Sequence, residues 1–282
     1  MMGLVGIGLL FLGSRTSAPA LSASTPTNIS FPALTATTVQ TTATEAPTFT
    51  TTPTLIPLFT PRPSASPTPD AIQSAINSGS LAFAGPLSQA EQIALYRASL
   101  PYIRLTAQGS RTLAKQINGV GYGDPTNICG PLAVAILRDA GLIPDSTVPH
   151  DFWLLNPNAG SDAHRIERVF PWEEYAHFFI SSPINKTDWR LSPLLPGDFL
   201  FIWHGSGGNF DHMLVVSRVD SSSRTYAVTN YGTPDGYIIS EALLYDPADS
   251  SAGLFHQWTT ARDAILGSTG FGGFEVWRRR SH

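Results

Sequence analysis

The spacing of apolar positions changes along this chain, from the period of a helix to that of a strand. Ile93, Leu95, Tyr96 and Leu100 form a broad apolar face behind Ser88-Gln89-Ala90-Glu91, a capping-box sequence, so the spacing predicts a helix over 89–100. Residues 110–117 predict a second, short one. A third is predicted over about 128–140, where Leu132, Ala135, Ile136 and Ala140 recur at helical spacing. Pro131 falls in its first turn, where a missing N–H costs nothing. Asn127 or Thr126 supplies a cap, and Gly141 fits the stop. The aromatic-rich stretch 150–190 reads as two further helices, around 161–168 and 172–180. From residue 196 the pattern becomes that of strands: 199–203 (FLFIW), 212–219 (HMLVVSRV), 225–230 (TYAVTN), 237–244 (YIISEALL) and 274–279 (FEVWRR) are β-rich runs separated by turn residues.

Helices first and an antiparallel sheet afterwards predict an α+β domain over 71–282 with a single core. What precedes it is different in kind. Twenty-nine of the fifty residues in 21–70 are Thr, Ser or Pro, and only Glu45, Arg62 and Asp70 are charged. Such a segment buries too little apolar surface to offset its ordering entropy, and reads as an extended, disordered stalk. Residues 1–20 contain an uncharged apolar run, GLVGIGLLFLG, followed by Ala18-Pro19-Ala20. They read as a signal-like or anchor segment. Together the two segments predict an exported, extracytoplasmic domain, secreted or held at the cell surface by an N-terminal membrane tether.

Charge narrows the functional classes. Charged residues are 13% of the chain and the net charge is −4, which is too weak and of the wrong sign for reading nucleic-acid phosphates. The cluster Arg278-Arg279-Arg280 reads as the solvated end of a last strand. No HExxH motif or cysteine cluster is present for a metal, and no cofactor is expected.

The single cysteine, Cys129, excludes an intrachain disulfide. It falls in the first turn of the predicted 128–140 helix, after a polar loop (119–127). A helix N-terminus favours the thiolate, the nucleophilic form of cysteine. Of seven histidines, His212 opens a predicted strand directly after a Gly-rich hairpin loop and is the expected base; His204, across that hairpin, is the reserve. Asn230 ends the next strand, eighteen residues on, and is expected to lie beside His212 and orient its ring. Asp211 is a weaker substitute, since a sequence neighbour of His212 should face the other way. A metal site of His204, Asp211 and His212 is a remote alternative.

These residues carry a family resemblance. The segment NICGPLAVAILRDAGL resembles the nucleophile helix of papain-like cysteine peptidases, and its Cys-Gly-Pro is similar to the bacteriocin-processing (C39-like) group. Pro196-Gly197-Asp198 followed by FLF resembles an element of NlpC/P60 and CHAP cell-wall hydrolases, in which a His opens the next strand and a polar residue sits on the one after, as in DHMLVVSRVD and YAVTNYG. The likeness spans roughly residues 115–232. It implies a papain-like fold with the nucleophile helix packed on an antiparallel sheet, and a triad of Cys129, His212 and Asn230. The implied activity is amide hydrolysis, with peptidoglycan stem peptide or another peptide as substrate. The sequence departs from the pattern at Ile128, before the Cys, and in having Asn rather than Asp as third member. The family's oxyanion-hole Gln is also misplaced, since the nearest is Gln116, thirteen residues upstream. Tyr122 or Asn127 could serve in its place, beside the Cys129 N–H. Two alternatives stay open: a protein-processing peptidase or acyl transferase with the same triad, and a catalytically inactive papain-like binding module.

Overall fold

The computed structural model describes residues 69–260 and 268–281. The expected leader and almost all of the expected stalk lie outside the described residues. Six α-helices are described: α1 (Pro69–Asn77), α2 (Gln89–Ser99), α3 (Ala107–Asn118), α4 (Cys129–Asp139), α5 (Gly160–Val169) and α6 (Leu254–Thr260). The seven strands are β1 (Tyr175–Ile180), β2 (Phe199–Ile202), β3 (His212–Val215), β4 (Arg218–Val219), β5 (Thr225–Thr233), β6 (Gly236–Tyr245) and β7 (Phe274–Arg279). They form a four-stranded sheet of order β1-β7-β2-β3 and a three-stranded sheet of order β4-β5-β6, with every pairing antiparallel. The fold is therefore mixed α+β, as expected. Among the described residues no helix is long and apolar enough to cross a membrane.

The capping box forms: Ser88 Oγ accepts from the Glu91 N–H, and the Glu91 carboxylate reaches back to the Ser88 N–H. α1 begins at Pro69, next to the expected start of the domain near 71. Residues 172–180, expected as helix, contain β1, because Ala176-His177-Phe178-Phe179 is a β-prone run with a strand partner available in β7. Residues 212–219 do not make one strand either. β3 pairs with β2 as far as Val215; the chain then turns between sheets, and the Ser217 N–H donates to the Tyr226 carbonyl.

At β2 and β3 the larger sheet is buried on both faces, and strict alternation sorts the residues there. Phe199, Phe201, Met213 and Val215 join the core under α4, which also holds Cys129 and Val228. Leu200, Ile202, Leu214 and Val216 join the opposite core, with Ala227, Trp258 and Phe255. Asp198 fastens this sheet. It is fully buried and takes a two-pronged hydrogen bond from Arg278 of β7, at 2.8 and 2.6 Å, while capping the Leu195 N–H. The Asp of the Pro-Gly-Asp element is thus a structural anchor at the start of β2.

Candidate functional site

Cys129 is the first residue of α4, and every residue from Cys129 to Leu137 is buried. The expected Asn or Thr cap is absent: Ile128 occupies the N-cap with no side-chain cap bond, and Asp124 caps the preceding single turn through the Thr126 N–H. Gly130 is required here, because a Cβ at that position would stand 2.3 Å from the Phe152 carbonyl oxygen and 2.8 Å from the Met213 side chain. The strand β3 and the 3-10 turn Pro149–Phe152 therefore clamp the start of α4, and a cleft opens beside it. This cavity of about 670 Å³ is lined by Cys129, Asn127, Asn156, Asn209, Asp211 and Tyr237, with Leu155, Phe210 and Met213 among its apolar walls. Leu154 stands on its rim, 59% exposed and with φ of 49°, a left-handed conformation that is costly for a branched side chain.

His212 does not face this cleft. Its register partner is Ile202, and it follows Ile202 into the opposite core, where its ring lies 4.8 Å from that of Trp258 and its Nε2 is 2.9 Å from Thr229 Oγ1. Burial pushes its pKa down from 6.5 to about 3, so it is a neutral core histidine. Asn230 is on β5 beside Thr229 and alternates to the other face. Its Nδ2 donates to the Pro125 carbonyl at 2.9 Å, tying down the turn that leads into Cys129. Asn230 Oδ1 is buried and has no partner among the described residues. The expected Cys129–His212–Asn230 constellation is thus not brought together. Cys129 and Asn230 share the α4 side of the sheets, His212 occupies the other side, and the residue touching its ring is Thr229. Gln116 is exposed on α3 and does not line the cleft; of the suggested oxyanion donors, only Asn127 does.

His212 is therefore not available to pair with the thiol. Burial pushes the Cys129 thiol up, the Asp211 carboxylate adds to the rise, and the backbone N–H groups of Met213, Gly130 and Cys129 act against it without reversing it. Asp211 is the group that reasoning from sequence undervalued. It does face away from His212, as a neighbour on a strand should, and for that reason it faces Cys129. Its Oδ1 accepts from the His204 N–H at 2.8 Å and lies 2.6 Å from His204 Nδ1. This pair closes the hairpin loop between β2 and β3 at the mouth of the cleft.

A second concavity lies over β1 and β7. There the buried carboxylate of Glu275 joins His177 Nε2 at 2.7 Å and accepts from Trp203 Nε1 at 2.9 Å, beside Trp277 and the exposed Trp172. Among the described residues no group of three or more His, Cys, Asp or Glu side chains is placed to hold a metal ion. No protein-family model, no curated protein and no solved structure matches this chain.

Proposed function

We propose that this chain is a papain-like binding module, exported and held at the cell surface, whose Cys129 cleft takes an extended peptide without cleaving it. The observation that carries this reading is the separation of Cys129 and His212 onto opposite sides of one sheet, with burial raising the pKa of the thiol. The lining supports a peptide as ligand. Asn127 and Asn209 offer amide groups that both donate to and accept from a peptide backbone, over an apolar floor of Leu155, Phe210 and Met213. Peptidoglycan stem peptide has this chemistry and is the first probe to use.

Amide hydrolysis by Cys129 is the second reading. It is favoured by one observation: the sulfur sits at a helix N-terminus, among backbone N–H groups, on the wall of an open cleft. Its base would have to be His204 with Asp211, since His212 is turned away. One experiment separates the two. The full chain is labelled with iodoacetamide across pH 5–10 and titrated calorimetrically with a synthetic stem peptide, as wild type and as Cys129→Ser. Binding that survives in Cys129→Ser, with slow labelling whose midpoint lies above that of a free thiol, is the expected result. Fast labelling at neutral pH, lost on His204→Ala, with release of a cleaved product, would install the hydrolase instead.

A further inference from the structure

β1 is the edge of the four-stranded sheet. Its backbone groups divide by alternation. The Arg280 N–H donates to the Glu174 carbonyl, and the antiparallel register continuing from that pair turns the N–H and C=O groups of Ala176, Phe178 and Ile180 toward β7. Those of His177 and Phe179 point the other way and have no hydrogen-bond partner among the described residues. The strand also lacks the usual protection of an open edge: YAHFFI contains no Lys, no Pro and no charged carboxylate, and its pairing with β7 has no bulge. Phe178 and Phe179 are 45% and 59% exposed, and Leu191, beside Phe178, is 82% exposed. At the far end of the sheet, β3 is buried throughout, so the liability is confined to β1.

We propose that β1 is a self-association edge, at which a second copy of this chain pairs its own β1 antiparallel, centred on Phe178. In that register His177 lies opposite Phe179 of the second copy, and Phe179 opposite its His177. Each of these two pairs exchanges two hydrogen bonds, so every outward N–H and C=O of His177 and Phe179 is satisfied in both copies. The central Phe178 residues form the non-hydrogen-bonded pair, whose side chains approach most closely, and become a cross-strand aromatic contact. On the opposite face each Phe179 ring meets an imidazole. No charged side chain of β1 meets a like charge. A register centred on His177 would set two imidazoles against each other, and one centred on Phe179 would shift the Phe178 rings apart. The two four-stranded sheets merge into one, and the exposed phenylalanines of both copies are covered. An unrelated strand would satisfy the same backbone groups, but the twofold match of ring against ring is specific to a second copy.

The test uses the full chain. Sedimentation equilibrium is expected to give a dimer for the wild type and monomers for Phe178→Lys and Phe179→Pro, with circular dichroism unchanged. Proline at 179 removes only an outward N–H, which an edge strand tolerates. A second measurement does not depend on either variant folding. Phe178→Cys places two thiols across a pair with Cα atoms about 4.5 Å apart, within disulfide reach. The native Cys129 is buried and is common to both cysteine variants, so it cancels in their comparison. Mild oxidation is expected to convert Phe178→Cys to a covalent dimer, while Val120→Cys, more exposed than Phe178 but remote on the loop before α4, stays monomeric. A wild type that is monomeric at all concentrations overturns the proposal. So does a dimer that persists in both edge variants, or Phe178→Cys cross-linking no faster than Val120→Cys.

Discussion

A residue's neighbours in a strand alternate between two environments, and the candidate site turns on one such alternation. Asp211, His212 and Met213 are consecutive, yet Asp211 and Met213 line the Cys129 cleft while His212 packs against Trp258. Both sides of β3 are buried, so the hydrophobic pattern that usually fixes which face is which carries no such information here. That is why a strand-opening histidine was legible in the sequence and its direction was not. The same blindness hid the role of Asn230, whose amide holds the Pro125 carbonyl instead of an imidazole. Leu154 invites a test at this scale. Its left-handed backbone costs a branched residue about 1 kcal/mol, and most of its side chain is in water. Leu154→Asn, a residue that tolerates the left-handed region without the chain entropy of glycine, is therefore expected to raise the free energy of urea unfolding by up to about 1 kcal/mol while weakening peptide binding at the cleft rim. Loss of stability would mean that the conformation is not strained.

At the scale of elements, the helices and strands that bury apolar stripes were readable and the ones set by pairing were not. α2, α4 and the strands from β2 onward follow from periodicity, capping and turn residues. β1 does not, because its short aromatic run satisfies either template and only the presence of β7 decides it. The break between β3 and β4 is equally invisible, since it reflects where β2 ends and β5 takes over. Asp198 shows how an element can be located without its contacts being legible: the Pro-Gly-Asp turn precedes β2, and its carboxylate serves Arg278. Removing that charge leaves a buried guanidinium without its partner. Asp198→Asn is expected to cost about 3 kcal/mol in urea unfolding, with Cys129 labelling unaltered in the folded protein. A loss well under 1 kcal/mol would demote the pair to an ordinary surface contact.

For the whole molecule, a neutral histidine sealed in the core makes stability depend on acid in a defined direction. His212 titrates at about 3 when folded and near 6.5 when unfolded, so between those values the unfolded chain binds the extra proton. Stability attributable to this residue is complete above pH 6.5 and falls as pH is lowered toward 3, by up to about 1.4 kcal/mol per pH unit. The difference between wild type and His212→Gln, measured by thermal unfolding at several pH values, isolates this contribution from that of the carboxylates; parallel curves would contradict the burial of the ring. The order of strands has a further consequence. β7 is the last strand to be synthesised, yet it lies between β1 and β2. Until it leaves the ribosome, the β2–β3 hairpin has one open side and β1 has no partner within the sheet. The nascent chain therefore carries a bare Phe-Phe strand for about a hundred residues of translation, and the sheet closes only through long-range pairing, which is slow. A polypeptide built this way cannot complete its larger sheet until translation has passed residue 279.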